Sequence, residues 1–143
     1  MAACKIIENK LIEYYSELKE KNKLEYEIKL LENNSNRLFS NLKNLELLSG
    51  NAQSAKDKLK NNIEIIVQKQ LKINKFIEEY AEIEYKINQL EEEDQKLLRL
   101  RYDKRYSFQK LNDELHMSKS SLIRRKSKLL NIISNNFKNS IKL

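Results

Sequence analysis

The residues of this chain whose types and spacing best suit a chemical role lie in residues 118–128, which read SKSSLIRRKSK. On a helix, one group of side chains faces away from Leu122 and Leu129: Ser118, Lys119, Ser120, Ser121, Arg124 and Lys128. A guanidinium can donate to O6 and N7 of one guanine, and a hydroxyl can contact either a base or a phosphate. The segment therefore predicts a surface that contacts duplex DNA, with Arg124 as its main base-reading residue.

Further candidate contacts precede or flank the same helix: Lys104, Arg105, Ser107, Lys110 and Arg125. Lys104, Arg105 and Lys110 are expected to hold the phosphate backbone, because such contacts position a protein on the duplex. Arg125 is expected to lie along the edge of the groove, while leucines one turn later close the core.

Catalytic chemistry has little support in the sequence. The chain has one histidine, His116, and one cysteine, Cys4, and neither has partners at the spacing of a metal site or a catalytic group. No glycine-rich phosphate loop is present. The acidic run at residues 91–94 suits a helix N-terminus better than a catalytic pair. We therefore expect no enzymatic activity, no metal and no cofactor.

Two short helices are predicted to position the candidate contacts. Ser107 can cap a helix over FQKLNDEL, and Ser118 can cap a second helix that begins at Lys119. Between them, His116 is expected to adopt a left-handed conformation. In the helix-turn-helix pattern, the core between the helices is then formed by Phe108, Leu111, Leu115, Met117 and Leu122.

The segment departs from that pattern in three places. Asn112 replaces the usual small residue of the first helix, His116 replaces the usual glycine of the turn, and Arg125 replaces a usual apolar residue. These departures leave a plain helical hairpin open as the alternative architecture.

The N-terminal region predicts long amphipathic helices. Apolar residues recur at spacings of three and four, first in one frame and then in a shifted frame: Cys4, Ile7, Leu11, Tyr14 and Leu18, then Leu24, Ile28 and Leu31. The polar run ENNSN at residues 32–36 offers cap-type side chains, so it predicts a break before a second helix that ends at Gly50.

A longer helix is predicted over residues 54–90. Ser54 and Asp57 form a weak capping box, and Gln70 and Glu84 interrupt an otherwise apolar heptad seam that contains Leu59, Ile63, Ile66, Ile73, Ile77, Tyr80 and Ile87. A break is expected near Leu90. The predicted fold is all-α, divided into an N-terminal helical segment (1–53), a connecting helix (54–90) and a helix-turn-helix domain (91–143).

Composition and charge agree with this division. The chain contains no proline and one glycine, and its net charge of +7 is divided into +1 for residues 1–90 and +6 for residues 91–143. From His116 onward there are seven basic and no acidic residues, as expected of a face that binds a polyanion. A solvated lysine-rich helix is the alternative interpretation. The tyrosines are expected to fill helix seams and not to stack on single-stranded RNA.

A family resemblance rests on LEEEDQKLLRLRYDKRYSFQKLNDELHMSKSSLIRRKSKLL. The segment resembles region 4 of bacterial sigma-70-type factors, in which a helix ending in Arg-Tyr precedes a helix-turn-helix. Over residues 88–135 it is more closely similar to the ArpU and RinA group of phage late transcriptional regulators. The recognition segment of that group is matched by Ser118, Ser120, Ser121, Leu122, Ile123 and Arg124.

The resemblance implies a promoter-binding activator of phage late genes that contacts RNA polymerase in the cytoplasm of a bacterial host. The seams of residues 1–90 are too long for one chain to cover, so we expect a homodimer. No apolar run reaches the roughly 18 residues of a membrane span, and no membrane or small-molecule partner is expected. The alternative function is a helical protein–protein interaction module without DNA binding.

Overall fold

The structure is a computed structural model that describes residues 2–48 and 52–141, and the elements within those ranges are all helical. A π-helical turn, Arg99–Asp103, follows the third of five α-helices: α1 (Ala2–Leu48), α2 (Ala52–Asn88), α3 (Glu92–Leu98), α4 (Phe108–Leu115) and α5 (Lys119–Ile141). The predicted all-α fold is confirmed.

The chain forms two compact units. The central unit is Lys19–Glu78, and the terminal unit combines Met1–Leu18 with Glu79–Leu143. Both long helices contribute to both units, whereas the predicted boundaries at residues 53 and 90 follow the ends of helices. The terminal unit therefore contains the first turns of α1 as well as the predicted DNA-binding segment.

The predicted break at residues 32–36 is wrong, because α1 continues through ENNSN to Leu48. Asn62 of α2 donates from Nδ2 to Oδ1 of Asn34 at 3.0 Å and to Oγ of Ser35 at 3.2 Å. The side chains that suggested helix caps are thus engaged by the neighbouring helix, and their local tendency to compete with the helix is overridden. The predicted cap at Gly50 lies outside the described residues.

In the central unit, α1 and α2 run antiparallel. Later residues of α1 contact earlier residues of α2. Lys21 lies over the Phe76 ring at 5.9 Å, and Glu27 pairs with Lys69 at 3.2 Å. Leu24 and Ile73 lie between these levels and form an apolar cluster with Ile28, against which Ile66 packs. The bond between Asn62 and Asn34 continues the same order.

The inward seam of α2 has strict three- and four-residue spacing: Ala52, Ala55, Leu59, Asn62, Ile66, Lys69, Ile73, Phe76, Tyr80, Ile83 and Ile87. The predicted frame has one heptad position correct, at Leu59 and every seventh residue after it. The second predicted heptad position contains Ile63, Gln70, Ile77 and Glu84 and lies one residue after the inward position. Ile63 and Ile77 are therefore 57% and 49% exposed. The error arises because Asn62 and Lys69 look like surface residues, although α1 supplies the polar partners that let them enter the seam.

The start of α2 also differs from the prediction. The helix begins at Ala52, so Ser54 lies in the first turn and the predicted capping box is wrong. Instead, Gln53 donates from its side chain to Asp57 at 3.1 Å. An i,i+4 bond of this kind supports the first turn.

The predicted break near Leu90 is confirmed, since α2 ends at Asn88 and α3 begins at Glu92. Gln95 donates from Nε2 to the carbonyl of Leu90 at 2.9 Å, which covers a backbone acceptor at the break. Three acidic residues in the first turn of α3 interact favourably with the helix dipole.

The central-unit seam leads to a stability prediction. Ile73→Ala should lower the free energy of unfolding by about 2–5 kcal/mol, because it removes buried methyl groups and leaves a cavity. Ile65→Ala on the same helix, where the side chain is 41% exposed, should cost less than about 1 kcal/mol. Urea unfolding followed by circular dichroism measures both, and equal losses would contradict the inward seam.

Candidate nucleic-acid interface

Helix α4 begins where the sequence predicts. Ser107 is its N-cap, with extended backbone, and its hydroxyl accepts a hydrogen bond from the Lys110 amide at 3.2 Å. The bond satisfies one of the amides that have no partner in the first turn of a helix. The predicted capping role of Ser107 is confirmed, and its side chain is exposed at the start of the helix.

The turn between α4 and α5 explains two of the departures from the helix-turn-helix pattern. His116 has φ 56° and ψ 39°, in the left-handed region as predicted, and its amide donates to the Asn112 carbonyl at 2.9 Å. The Asn112 side chain donates to the carbonyl of Met117. Asn112 therefore closes the turn that follows α4. An alanine or glycine at this position would have no side-chain donor for that carbonyl.

Helix α5 begins with a cluster of hydroxyls. Ser118 caps the helix by accepting from the Ser121 amide at 3.2 Å, and its hydroxyl donates to Oγ of Ser121 at 2.9 Å. Ser120 Oγ lies 3.3 Å from the same Ser118 oxygen. The predicted cap is confirmed, and two of the serines proposed as DNA contacts already bond to each other.

The core between the two helices is formed in part by the predicted residues. Leu111 and Leu122 are completely buried, whereas Phe108, Leu115 and Met117 are half-buried at its edge. Farther along α5 the packed side is continued by Leu129, Leu130 and Ile133, each at most 2% exposed. This continuous side fixes the rotation of α5 about its own axis.

Arg125 has a different place from the one predicted. Its Nε donates to Oδ1 of Asp94 at 2.7 Å and its Nη2 donates to Oδ2 at 2.9 Å, so the pair is bidentate. Hydrogen bonds to Asp94 raise the pKa of the Arg125 guanidinium above its usual range. Asp94 is buried, and the pair joins α3 to α5. Because this carboxylate engages the guanidinium, Arg125 is no longer a candidate DNA contact.

The opposite side of α5 is exposed along its first three turns. It carries Ser120, Ile123, Arg124, Ser127 and Lys128. Arg124 and Lys128 were predicted to lie together here, and the structure places them on adjacent turns. Ile123 and Ser127 were not among the predicted contacts, although their i+3 and i+7 spacing from Ser120 was readable from the sequence. Ile123, which is 40% exposed, offers an apolar surface of the type that contacts a thymine methyl group.

The π-helical turn places Arg101 beside the start of α4. The amide of Lys104 donates to the Arg99 carbonyl at 3.1 Å, five residues back, as in a π-helix. Arg101 Nη1 donates to the Tyr106 carbonyl at 2.8 Å, and its guanidinium lies 4.2 Å from the centre of the Phe108 ring. No pattern in the sequence predicted the π-helical geometry, and Arg101 was not among the predicted contacts.

An open groove of about 700 Å³ lies next to this arginine. It is lined by Arg101, Ser107, Phe108, Gln109, Asn112 and Lys119. The groove combines two cations with hydroxyl and amide groups at the beginnings of α4 and α5. This arrangement is suited to an anion, because exposed amides and the helix dipole at an N-terminus attract negative charge.

The other predicted cations near α4 are exposed. Lys104 and Arg105 lie between the π-helical turn and α4, and Arg105 has a left-handed φ of 57°. Lys110 lies 4.2 Å from the centre of the Tyr106 ring, a distance typical of a cation–π contact. These cations, with Lys119, surround the start of α4.

A carboxylate near the beginning of α1 ties that helix to the candidate interface. Glu8 Oε2 accepts from the Tyr102 hydroxyl at 2.7 Å and from Lys126 Nζ at 3.4 Å. Lys126 also lies 5.4 Å from the Phe108 ring centre. One residue of α1 therefore contacts both the π-helical turn and α5, so a fragment that starts near residue 88 would lose a support of the interface.

Loss of the pair between Arg125 and Asp94 should destabilise the terminal unit. Asp94→Asn should lower the midpoint of thermal unfolding, because it removes the charge-assisted bidentate bonds between the buried position 94 and Arg125. Arg125→Lys should do the same, since an ammonium cannot form two parallel bonds. Lys128→Ala, on the exposed side of α5, is the control and should leave the midpoint unchanged; an unchanged midpoint for Asp94→Asn would refute this role.

The buried tyrosines predict alkaline unfolding. Burial, with a hydrogen bond to Glu8, raises the pKa of Tyr102, and burial raises the pKa of Tyr15 to about 12. A phenol with a raised pKa in the folded state stabilises the fold fully below its unfolded pKa of about 10, and that contribution is lost as pH rises through the folded pKa. Helical circular dichroism and phenolate absorbance should therefore change together above pH about 10. Phenolate formation by these residues with the helices intact would contradict the prediction.

Across residues 2–48 and 52–141, no three His, Cys, Asp or Glu side chains are grouped so that they could hold a metal ion. The helices in those ranges contain no stretch long and apolar enough to cross a membrane. Comparison with protein-family models, curated proteins and solved structures finds no match to this chain.

Proposed function

We propose that this protein is a sequence-specific, double-stranded-DNA-binding transcriptional regulator whose α4–α5 segment acts as a helix-turn-helix. The observation that carries the proposal is the exposed side of α5, where Arg124 and Lys128 lie with serines and Ile123. From residue 116 to the end, the sequence adds seven basic residues and no acidic one. A helix of this charge, held by a short left-handed turn on a second capped helix, is suited to the major groove.

The contacts divide into two roles. Arg124 and Ile123 project from the N-terminal half of α5, so they would face base edges, with the guanidinium on guanine and the isoleucine on a thymine methyl group. The cations around the start of α4 would hold phosphates, and the groove beside Arg101 offers a place for one of them. Phosphate contacts give affinity, whereas only the contacts of α5 distinguish sequences.

The finer parts of the proposal come from the resemblance described above. They are activation of phage late genes and contact with RNA polymerase. Action as a homodimer is proposed separately, from the apolar seams of residues 1–90, which are too long for one chain to cover. The alternative is a helical interaction module that binds only protein. It is favoured by the central unit: of the twelve large hydrophobic side chains that are exposed in the described part of the chain, eight lie in this unit.

The test uses the full chain, because Glu8 supports the interface. Duplex fragments retained from a random pool at physiological salt are sequenced, and affinity for the enriched duplex is measured as salt is raised. A regulator should enrich one sequence and lose affinity steeply with salt, since each phosphate contact releases counterions. A chain that retains no duplex at low salt is an interaction module, and the DNA-binding proposal is then rejected.

Single substitutions should separate base reading from phosphate binding. Arg124→Ala should cost roughly 1–3 kcal/mol on the enriched duplex and much less on random duplex, because only the enriched sequence offers the bidentate contact. Lys104→Ala should weaken both to a similar degree and reduce the salt slope by about one unit. Lys72→Ala, an exposed cation of the central unit, is the matched control and should change neither affinity. Equal losses on the two duplexes for Arg124→Ala would remove this residue from base reading.

A further inference from the structure

Helix α2 has a second stripe of side chains that is exposed and has the spacing of a helix seam. Its members are separated by four, three, four and three residues: Ile63, Val67, Gln70, Asn74 and Ile77. The three apolar members are 57%, 51% and 49% exposed, and Leu71 beside them is 62% exposed. Side chains in this alternation form a line that another helix can cover along its length.

The stripe is distinct from the seam that packs on α1. That inward seam uses the neighbouring positions Asn62, Lys69 and Phe76, whose partners lie on α1. The amides of Gln70 and Asn74 bond to each other at 3.0 Å in the middle of the stripe. A polar pair between apolar ends is a common means of fixing the register of paired helices.

The two ends of the stripe are alike. Gln70 is its midpoint, and an isoleucine lies seven residues away on each side, Ile63 and Ile77. The flanking charges reverse: Lys60 and Glu64 precede the centre, and Lys75 and Glu78 follow it. Two parallel copies in register would place like charges opposite each other. In two antiparallel copies with Gln70 opposite Gln70, position 60 lies opposite position 80 and position 64 opposite position 76, so Lys60 comes within two residues of Glu78 and Glu64 within one residue of Lys75.

We propose that this stripe is the surface on which a second copy of the chain docks, with the two α2 helices antiparallel about a two-fold axis near Gln70. A two-fold interface must be self-complementary, and the charge order satisfies that condition at both ends. The proposal deepens the self-association included in the proposed function by naming its surface, and it does not require DNA to be present.

Sedimentation velocity of the full chain over a wide concentration range tests the surface. The unmodified chain should associate to dimers, and Ile63→Asp and Ile77→Asp should each weaken association roughly tenfold or more, because each places an uncompensated carboxylate in the interface. Ile65→Asp is the matched control, since Ile65 is 41% exposed on another side of the same helix. Circular dichroism checks that all three variants keep their helices. A monomeric unmodified chain, or equal weakening by Ile65→Asp, would overturn the proposal.

Charge reversal tests the antiparallel arrangement. Lys60→Glu and Glu78→Lys should each weaken the dimer several-fold, and the two together should restore it, because the opposed residues again differ in sign. If the double variant is weaker than either single variant, the antiparallel arrangement is wrong. Affinity for a duplex is measured on the same variants. A chain that forms the dimer but binds no duplex refutes the proposed function alone, and a monomer that binds duplex refutes the surface alone.

Discussion

The bidentate pair between Arg125 and Asp94 is the interaction on which the geometry of the candidate interface depends. A carboxylate as buried as Asp94 is unstable in the folded state without a cation. Arg125, in the N-terminal half of α5, supplies that cation. The pair lies between Leu122 and Leu129 on the packed side of the helix. Together they determine which side of α5 faces outward, and that side carries Arg124 and Lys128. Of two adjacent arginines, one thus holds the helix and the other is left to contact a ligand.

The sequence predicted well the features whose causes lie within a few residues of one another. The caps at Ser107 and Ser118 and the left-handed turn at His116 depend on hydrogen bonds between residues at most five positions apart. The boundaries of α4 and the start of α5 were therefore predictable. Arg125 was misjudged because its partner lies 31 positions earlier in the chain, where no local pattern links the two.

The long helices show the same limit on a larger scale. Asn34, Ser35 and Asn62 are polar residues that suggest a helix break or a surface, yet they satisfy one another across 27 and 28 positions. Ile63 and Ile77 are apolar residues that suggest a core, yet they are exposed. In the first case local capping preference predicted a break, and in the second hydrophobicity alone assigned the wrong side of the helix. The heptad position that begins at Leu59 was predicted correctly, because its residue is apolar in every repeat and no alternative frame competed with it.

The distribution of charge and apolar surface gives the two units different tasks. The exposed apolar side chains are concentrated in the central unit, while most of the net positive charge belongs to residues 91–143 of the terminal unit. Self-association through α2 would consequently use none of the residues proposed to contact DNA. Under the proposed function, a dimer would contain two α5 helices, and binding of the first to a duplex would raise the effective concentration of the second wherever the duplex carries paired sites. Each α5 helix would then need only the modest contact set of Arg124, Ile123 and Lys128, and selectivity would come from the pair.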